Sequence, residues 1–273
     1  MSLKGVFRNR ERLAGYLFIT PAIIFFAIFL IYPLFYDLYL SFTKWDIKSK
    51  PVFVGFKNYW LAFQNPVFQV ALKNTFYYTF FSVSLGLVLG LVLALLVTSK
   101  IKFRAFWETS FFLPVITSWV VVGLIWNWML SPHLGVINYL LSLFGISPQG
   151  FLTNAKQAMP VIVLINVWKN VGFYMIIFSA GLYSISDVYY EAATIDGASK
   201  WKQFCSITLP LLQPTTLFLI VTSTIGSFQV FGQIYVMTQG GPGQSTNVIV
   251  FEMYRQAFEF LHIGYASAIS YLS

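Results

Sequence analysis

The sequence predicts an all-α, polytopic membrane protein, and two observations carry that prediction: its composition and the length of its apolar stretches. Of its 273 residues, 58% are hydrophobic and only 10% are charged, whereas about a quarter of the residues in soluble domains are charged. Such a chain cannot cover itself with polar surface in water. The 29 Phe, 16 Tyr and 8 Trp suit lipid-facing surfaces and the aromatic belts of membrane interfaces.

Five stretches are long enough to cross a bilayer. A spanning helix needs about 20 mostly apolar residues, because about 30 Å of hydrocarbon is crossed at about 1.5 Å per residue. After residue 263 the chain turns apolar again but is too short to cross, so we expect about six spans, with the sixth truncated. The N-terminal stretch is longer than a signal-peptide core, and we count it as a retained helix. The five complete stretches are residues 13–42, 74–98, 105–130, 160–185 and 214–237.

Basic residues in the loops indicate how the chain is oriented. With a cytoplasmic N-terminus, nine Lys and Arg lie inside and seven outside. The inside residues sit in short segments against helix ends, where the positive-inside rule applies most strongly. We therefore expect the N-terminus in the cytoplasm, and we attribute the net charge of +8 to contact with anionic lipid rather than nucleic acid. The inside residues are Lys4, Arg8, Arg10, Arg12, Lys100, Lys102, Arg104, Lys200 and Lys202.

Three loops are expected on the outer face, at residues 43–73, 131–157 and 238–262. The middle of the second loop predicts a short interfacial helix. The third begins with a turn-rich segment, TQGGPGQSTN, in which Gly and Pro forbid a helix. Its remainder predicts an amphipathic helix, whose apolar face carries Phe251, Tyr254, Phe258 and Leu261.

The chain lacks the motifs of an enzyme. The single cysteine, Cys205, excludes an internal disulfide, and His133 and His262 are too far apart for metal-ligand spacing. No Gly-Lys pair and no Gly-x-Ser-x-Gly elbow occur in the sequence, so a phosphate-binding loop and that type of nucleophile are absent. We expect no catalytic residue, no metal and no cofactor, and any nucleotide must bind to another chain.

A polar interruption at residues 186–210 separates the fourth and fifth stretches. Ser186 is a plausible N-cap of a short helix, and Gly197 permits the left-handed backbone that ends one. A second short helix follows, and Pro210 and Pro214 are expected to stop it and restart the chain as the fifth span. Composition alone leaves two interpretations open: an amphipathic loop on the inner headgroups, or a compact helical hairpin presented to a partner.

The residues of this interruption favour the second interpretation. EAATIDGA at residues 191–198, followed by Ile-Thr-Leu-Pro at 207–210, resembles the cytoplasmic signature loop of permease subunits of binding-protein-dependent ABC importers. The chain is most similar to the sugar branch, of maltose and glycerol-3-phosphate type. Ser186-Asp187 departs from that pattern, which often has a Pro-x pair there. Supporting segments are GFKNYW, LKNTF, FLP, TQGGP and GYASA.

The resemblance implies the ABC importer permease fold, with residues 1–273 as one transmembrane domain and a cytoplasmic coupling hairpin. It implies three kinds of protein partner: a second, related permease, two copies of an ATP-binding subunit, and an extracytoplasmic sugar-binding protein. The setting would be the cytoplasmic membrane of a bacterium or archaeon. The residues implied to dock on the ATPase are Glu191, Ala192, Ala193, Asp196, Gly197 and Trp201.

Polar side chains within the apolar stretches are candidates for a substrate pathway, because they are costly in hydrocarbon unless they face a cavity or another helix. Asn166, Asn170 and Tyr174 recur at steps of four and share a helical face. Lys169 could pair with a substrate anion, snorkel to the interface, or bond to a neighbouring helix. For Ser and Thr the alternative is hydrogen bonding between helices. The remaining candidates are Trp168, Ser227, Gln229, Thr117 and Ser118.

Two further functions stay open at this point. A secondary transporter or channel for a small polar solute would need a coupling charge, for which Lys169 is the buried candidate, and often shows inverted repeats. We find no such repeat in the sequence. A membrane-embedded enzyme is disfavoured because clusters of His, Asp and Cys are missing.

Overall fold

The computed structural model describes residues 3–99 and 102–273, and helices dominate it, as the sequence predicts. In chain order the elements are α1 (Leu3–Phe26), α2 (Tyr32–Ser41), β1 (Thr43–Lys44), β2 (Val52–Phe53), α3 (Lys57–Gln64), α4 (Pro66–Thr98), α5 (Arg104–Ile116), α6 (Trp119–Met129), α7 (Val136–Leu143), α8 (Ala158–Tyr183), α9 (Asp187–Ile195), α10 (Lys200–Gln203), α11 (Leu209–Leu211), α12 (Gln213–Phe228), α13 (Gly232–Met237), α14 (Ile249–Tyr254) and α15 (Ile263–Leu272).

Contacts within the chain group into two compact units. One contains the residues up to 64 together with 253–272, and the other contains residues 65–252. Among the described residues, three helices have the length and apolar composition of a membrane span. Two bent helix pairs raise the number to five if each pair crosses once, which agrees with the five complete stretches of the sequence.

In the described part of the chain, three π-helical turns interrupt the α-helical hydrogen-bond pattern, and two of them end just before a proline. The turns are Ala27–Ile31, Phe204–Thr208 and Arg255–Glu259. Pro33 and Pro210 have no N–H to donate to the carbonyl four residues earlier. In the preceding turn the ladder shifts by one residue, so that the N–H of Tyr32 donates to the carbonyl of Ala27 and the helix continues. The same shift carries the helix past Pro210 to Leu211. The helix ends there, between Pro210 and Pro214, and a new helix starts at Gln213, as predicted.

The first unit is held together around the β1–β2 ribbon. The Asn58 side chain donates to the carbonyl oxygens of Ser41 at 2.9 Å and of Thr43 at 2.7 Å, which fixes the end of α2. Gly264 in α15 lies so close to the ribbon that a Cβ there would stand 1.8 Å from the Thr43 oxygen. Asp37 in α2 accepts a hydrogen bond from the Ser270 hydroxyl at 2.7 Å. These contacts explain why the last helix packs on this unit.

In the second unit, α4 packs tightly against α8. A Cβ at Gly86 would lie 2.7 Å from the Tyr174 ring, and one at Gly90 would lie 2.3 Å from the Tyr174 Cβ. Small residues at this spacing let two membrane helices approach closely. The predicted packing role of Gly86 and Gly90 is therefore confirmed.

The third and fifth stretches are not the continuous helices that their apolar sequence predicts. Between α5 and α6 the axis turns by 97°, where Thr117 and Ser118 adopt extended conformations. A 60° bend between Leu211 and Gln213 precedes the fifth stretch, and the stretch itself leaves the helix over residues 229–231. Both interruptions need partners for the backbone groups that they expose.

The outer segments match their predictions in part. The short helix expected in residues 131–157 is confirmed as α7. The helix expected after the TQGGPGQSTN segment is present, but its predicted amphipathic pattern is wrong. Glu252 is only 1% exposed, whereas Phe258 is 70% exposed. The Glu252 carboxylate is stabilised inside the second unit by the Asn247 side chain, which donates to it at 3.0 Å. In a membrane protein, exposed Phe is compatible with lipid.

We expect Gly90→Ala to lower the stability of the protein by about 1–3 kcal/mol, as overpacking at tight contacts does. The thermal unfolding midpoint in detergent measures this effect. Gly226→Ala in α12 is the matched control, because a Cβ there meets nothing within 4 Å. An equal loss of stability in both variants would contradict the close packing of α4 and α8.

Candidate functional site

The polar interruption between α8 and α12 folds as a helical hairpin. The Ser186 side chain accepts a hydrogen bond from the N–H of Val188 at 3.4 Å, which confirms it as the N-cap of α9. Asp187 follows in the first turn, where an acid is favoured by the helix dipole. The first arm of the hairpin therefore begins where the sequence predicts.

The hairpin turns at Gly197, whose φ is +75°. The N–H of Gly197 donates to the Thr194 carbonyl at 3.1 Å, and the N–H of Ala198 donates to the Ala193 carbonyl at 2.9 Å. These two bonds form a Schellman motif, which satisfies the last carbonyls of α9 and requires a left-handed residue. The predicted role of Gly197 as a left-handed turn is confirmed, and Asp196 occupies the C-cap.

The two arms are joined by side chains that the sequence reasoning did not single out. The buried Gln203 amide donates to the Thr194 hydroxyl and to the Ala198 carbonyl, both at 3.1 Å. The hydroxyls of Tyr190 and Thr208 lie 2.9 Å apart. Neither pair has a local signature in the sequence, because the bonds cross the turn. They make the hairpin a closed unit without using the residues implied to dock.

The residues implied to dock lie on the outside of the hairpin. Glu191, Ala192, Asp196 and Gly197 are exposed, and Ala193 is half-buried. Trp201 is 73% exposed. A rigid pair of short helices with a large exposed aromatic ring can insert into a groove on another protein.

A cavity of about 410 Å³ lies in the second unit, between α4, α8, α12 and the irregular segment that follows α12. Five of the pathway candidates line it: Asn166, Asn170, Tyr174, Ser227 and Gln229. Its other polar or aromatic lining residues are Tyr78, Trp119, Phe173, Thr222, Ser223, Phe231 and Gln233. None of the fifteen described residues that line it carries a charge.

The amides on α8 are arranged as a pair. The Asn170 side chain donates to the Asn166 side-chain oxygen at 2.8 Å and to the Asn166 carbonyl at 3.0 Å. Across the cavity wall, the Gln233 amide donates to the Tyr78 hydroxyl. These bonds fix the amides and leave further donors and acceptors for hydroxyl groups of a ligand.

Four pathway candidates do not line this cavity. Trp168 is half-exposed, and its ring packs edge-on against Trp126 at 5.4 Å. The Lys169 amino group donates to the Val115 carbonyl at 2.9 Å, which is the third of the roles open to it from sequence. Thr117 donates to the Leu113 carbonyl, and Ser118 caps α6. Thr117 and Ser118 thus bond within the α5–α6 region rather than to a neighbouring helix.

The sequence reasoning missed several lining residues, chiefly Tyr78, Trp119 and Phe231. Tyr78 is one of several aromatic residues in α4, and Trp119 and Phe231 read as lipid-facing or interfacial aromatics. The inward positions of Trp119 and Phe231 result from the helix breaks next to these two residues. Pro114 and Gly232 were available signals for those breaks.

Comparison with known proteins identifies the family. The family model described as binding-protein-dependent transport system inner membrane component matches residues 86–272. The chain belongs to this family. It is 34% identical over 96% of its length to the probable ABC transporter permease protein YurN of Bacillus subtilis, of which it covers 91%. It is 35% identical over its whole length to the trehalose/maltose transport system permease protein MalF of Thermococcus litoralis, of which it covers 92%.

The fold of this inner-membrane permease is also similar to a solved importer. A chain in the crystal structure of a bacterial ABC transporter for the acidic polysaccharide alginate superposes with a TM-score of 0.87, at 30% identity, covering 98% of this chain and 92% of that one. A second structure of an alginate ABC transporter, in complex with a periplasmic protein that holds an alginate pentasaccharide, gives a TM-score of 0.85. The permease therefore has the ABC importer permease fold.

We expect Gly197→Val to loosen the hairpin. A Cβ at this position meets nothing within 4 Å, so the effect comes from the left-handed backbone alone, which costs a non-glycine residue about 1 kcal/mol or more. Hydrogen exchange of amides in residues 192–203 should become faster, and Gly197→Asn should lie between Gly197→Val and the wild type. Unchanged exchange in Gly197→Val would contradict the assigned turn.

Proposed function

We propose that this permease is a subunit of an ATP-driven importer of neutral sugars or polyols and forms half of the translocation pathway. The observation that carries the proposal is the cavity, which offers amides, hydroxyls and aromatic rings and no charged side chain among its described lining. Amides bond to sugar hydroxyls, and aromatic faces cover the apolar face of a pyranose ring. Asn166, Asn170, Tyr174, Ser227 and Gln229 are the proposed substrate contacts.

A neutral substrate is preferred to an acidic one. The similar solved transporter imports an acidic polysaccharide, but binding an anion inside a membrane protein requires a positive partner or a metal. The buried candidate, Lys169, donates to a backbone carbonyl and is not among the residues that line the cavity. Relatives named for trehalose/maltose and arabinooligosaccharide transport support saccharides as the first substrates to test.

The hairpin would couple this cavity to ATP hydrolysis on other chains. In the proposal, Glu191, Ala192 and Ala193 contact a groove of an ATP-binding subunit, Trp201 inserts beside them, and Asp196 and Gly197 shape the turn. Two copies of that subunit would drive this hairpin and the hairpin of a second, distinct permease towards each other. The permease itself would then catalyse no reaction, and it would receive sugar from an extracytoplasmic binding protein.

The orientation follows from the same scheme. The permease would lie in the cytoplasmic membrane of a bacterium or archaeon, surrounded by lipid, with its N-terminus and hairpin in the cytoplasm. The exposed Lys200 and Lys202 of the hairpin fit an inside position. Of the other residues behind this orientation, Lys100 and the side chains of Lys4, Arg8, Arg10 and Arg12 lie outside the described part of the structure.

Loss of an amide from the cavity should weaken sugar transport. Asn170→Leu removes an amide from the cavity and the hydrogen bond that this amide donates to the Asn166 side-chain oxygen. Because both losses weaken sugar binding, the KM for uptake of the transported sugar should rise roughly tenfold. Uptake by the reconstituted importer with its binding protein measures KM. Asn127→Leu is the matched control, since the Asn127 amide faces the Val236 and Met237 carbonyls. Equal KM values for both variants and the wild type would contradict the substrate site.

Reversal of charge on the hairpin should weaken ATPase docking. Glu191→Arg should reduce the amount of ATP-binding subunit that co-purifies with the permease, without changing its thermal unfolding, because Glu191 is exposed. Glu259→Arg serves as the control, because it reverses an exposed charge whose ion pair with Arg255 contributes little. Full retention of the ATPase by Glu191→Arg would argue against docking through this residue.

A further inference from the structure

The break between α5 and α6 exposes carbonyl groups at the depth of a membrane span. The last carbonyls of a helix have no partner within it, and hydrocarbon supplies none. Thr117 satisfies two of them: its hydroxyl donates to the Leu113 carbonyl at 3.1 Å, and its N–H donates to the Pro114 carbonyl at 3.2 Å. The Val115 carbonyl is the next one along this end.

Lys169 satisfies that carbonyl from a different helix. Its amino group donates to the Val115 oxygen at 2.9 Å, and the residue is only 4% exposed. A positive group at the C-terminal end of a helix is favoured by the helix dipole. The same amino group lies 5.0 Å from the centre of the Trp119 ring, within the range of a cation–π contact. One side chain therefore contacts the last turn of α5 and the first residue of α6.

The helix that carries Lys169 packs closely against α5. A Cβ at Gly172, one turn further along α8, would lie 2.1 Å from the Phe111 carbonyl oxygen. The two backbones are therefore in close contact next to the break. This proximity fixes the distance over which the lysine side chain has to reach.

Trp119 connects this contact to the cavity. Trp119 belongs to the lining, together with Asn166 and Asn170 from the helix that carries Lys169. The Lys169 side chain itself is outside the lining. Whatever holds the Trp119 ring in place therefore also sets the shape of the cavity beside the amide pair.

We propose that Lys169 is a positioning residue, which fixes the Trp119 ring as a wall of the cavity and does not itself bind the transported molecule. The proposal rests on the proposed function for its effect on transport, but the contact between Lys169 and Trp119 can be tested without any substrate. In this proposal the buried charge of Lys169 supports the wall of the cavity from outside, and the described residues that line the cavity are uncharged.

Thiol labelling tests the contact directly. Cys205 is the single cysteine of the sequence, so a Cys205→Ser background allows one new cysteine to be followed. A Cβ at Gly232 would lie 3.6 Å from the Trp119 Cβ, so Gly232→Cys places a thiol beside this ring without a clash. We expect Lys169→Met to increase the rate of its reaction with a small water-soluble methanethiosulfonate several-fold in the assembled importer, because the ring loses its anchor.

Two controls make the labelling result specific. Gly226→Cys lines the same cavity in open space, and its labelling rate should not respond to Lys169→Met. Lys169→Arg should restore slow labelling at position 232, since a guanidinium keeps the charge and the donors. An unchanged rate at position 232, or an equal increase at positions 232 and 226, would overturn the proposal.

Transport by the same variants tests the consequence. Lys169→Met should raise the KM for the transported sugar roughly three- to tenfold, as expected for loss of a desolvated cation–π contact and its hydrogen bond, and Lys169→Arg should restore it. In a Trp119→Leu background, Lys169→Met should add little to KM; a full additional effect would overturn the proposal. Lys156→Met replaces an exposed outer lysine and should not change KM.

A wild-type importer that moves no sugar would refute the proposed function and leave the labelling test intact.

Discussion

The requirement that every backbone N–H and C=O inside a bilayer finds a partner within the protein governs the arrangement of this permease. Where the helices are regular, their own ladder meets the requirement. Where Pro33 and Pro210 remove a donor, a π-helical turn shifts the ladder and keeps the helix going. Where the chain turns by 97° after α5, no shift of the ladder is sufficient, and Thr117 and Lys169 supply the missing donors.

The same requirement explains where the cavity is. Non-helical backbone at membrane depth is tolerated where it is buried in protein or lines a cavity. Residues 229–231, which leave the helix after α12, and Trp119, the first residue after the α5–α6 turn, all belong to the cavity lining. The breaks turn aromatic and amide side chains towards one another, which a set of straight apolar helices could not do. The polar lining of the cavity is thus a consequence of interrupted spans.

The hairpin and the cavity share one helical connection. The second arm of the hairpin runs through α10, a π-helical turn and α11, and reaches α12 across a single 60° bend. α12 carries Thr222, Ser223 and Ser227 of the cavity lining. The hairpin is closed internally by the hydrogen bonds of Gln203 and Tyr190, so its two arms and α12 form one connected segment of chain.

The sequence predicts the features that depend on residues close together in the chain, and it misses those that depend on residues far apart in the chain. The Ser186 cap, the Gly197 turn and the Gly86–Gly90 packing are encoded by residue type at short spacing, and each is confirmed. Asn166, Asn170 and Tyr174 share a face because all three lie on one helix. The 97° turn is different: Pro114 signals a break in the helix, but the donor for the Val115 carbonyl is 54 residues away. The sequence alone shows that burying the Lys169 charge in hydrocarbon is energetically unfavourable. Only the packing of α8 against α5 shows that the Val115 carbonyl is the hydrogen-bond partner that offsets this penalty.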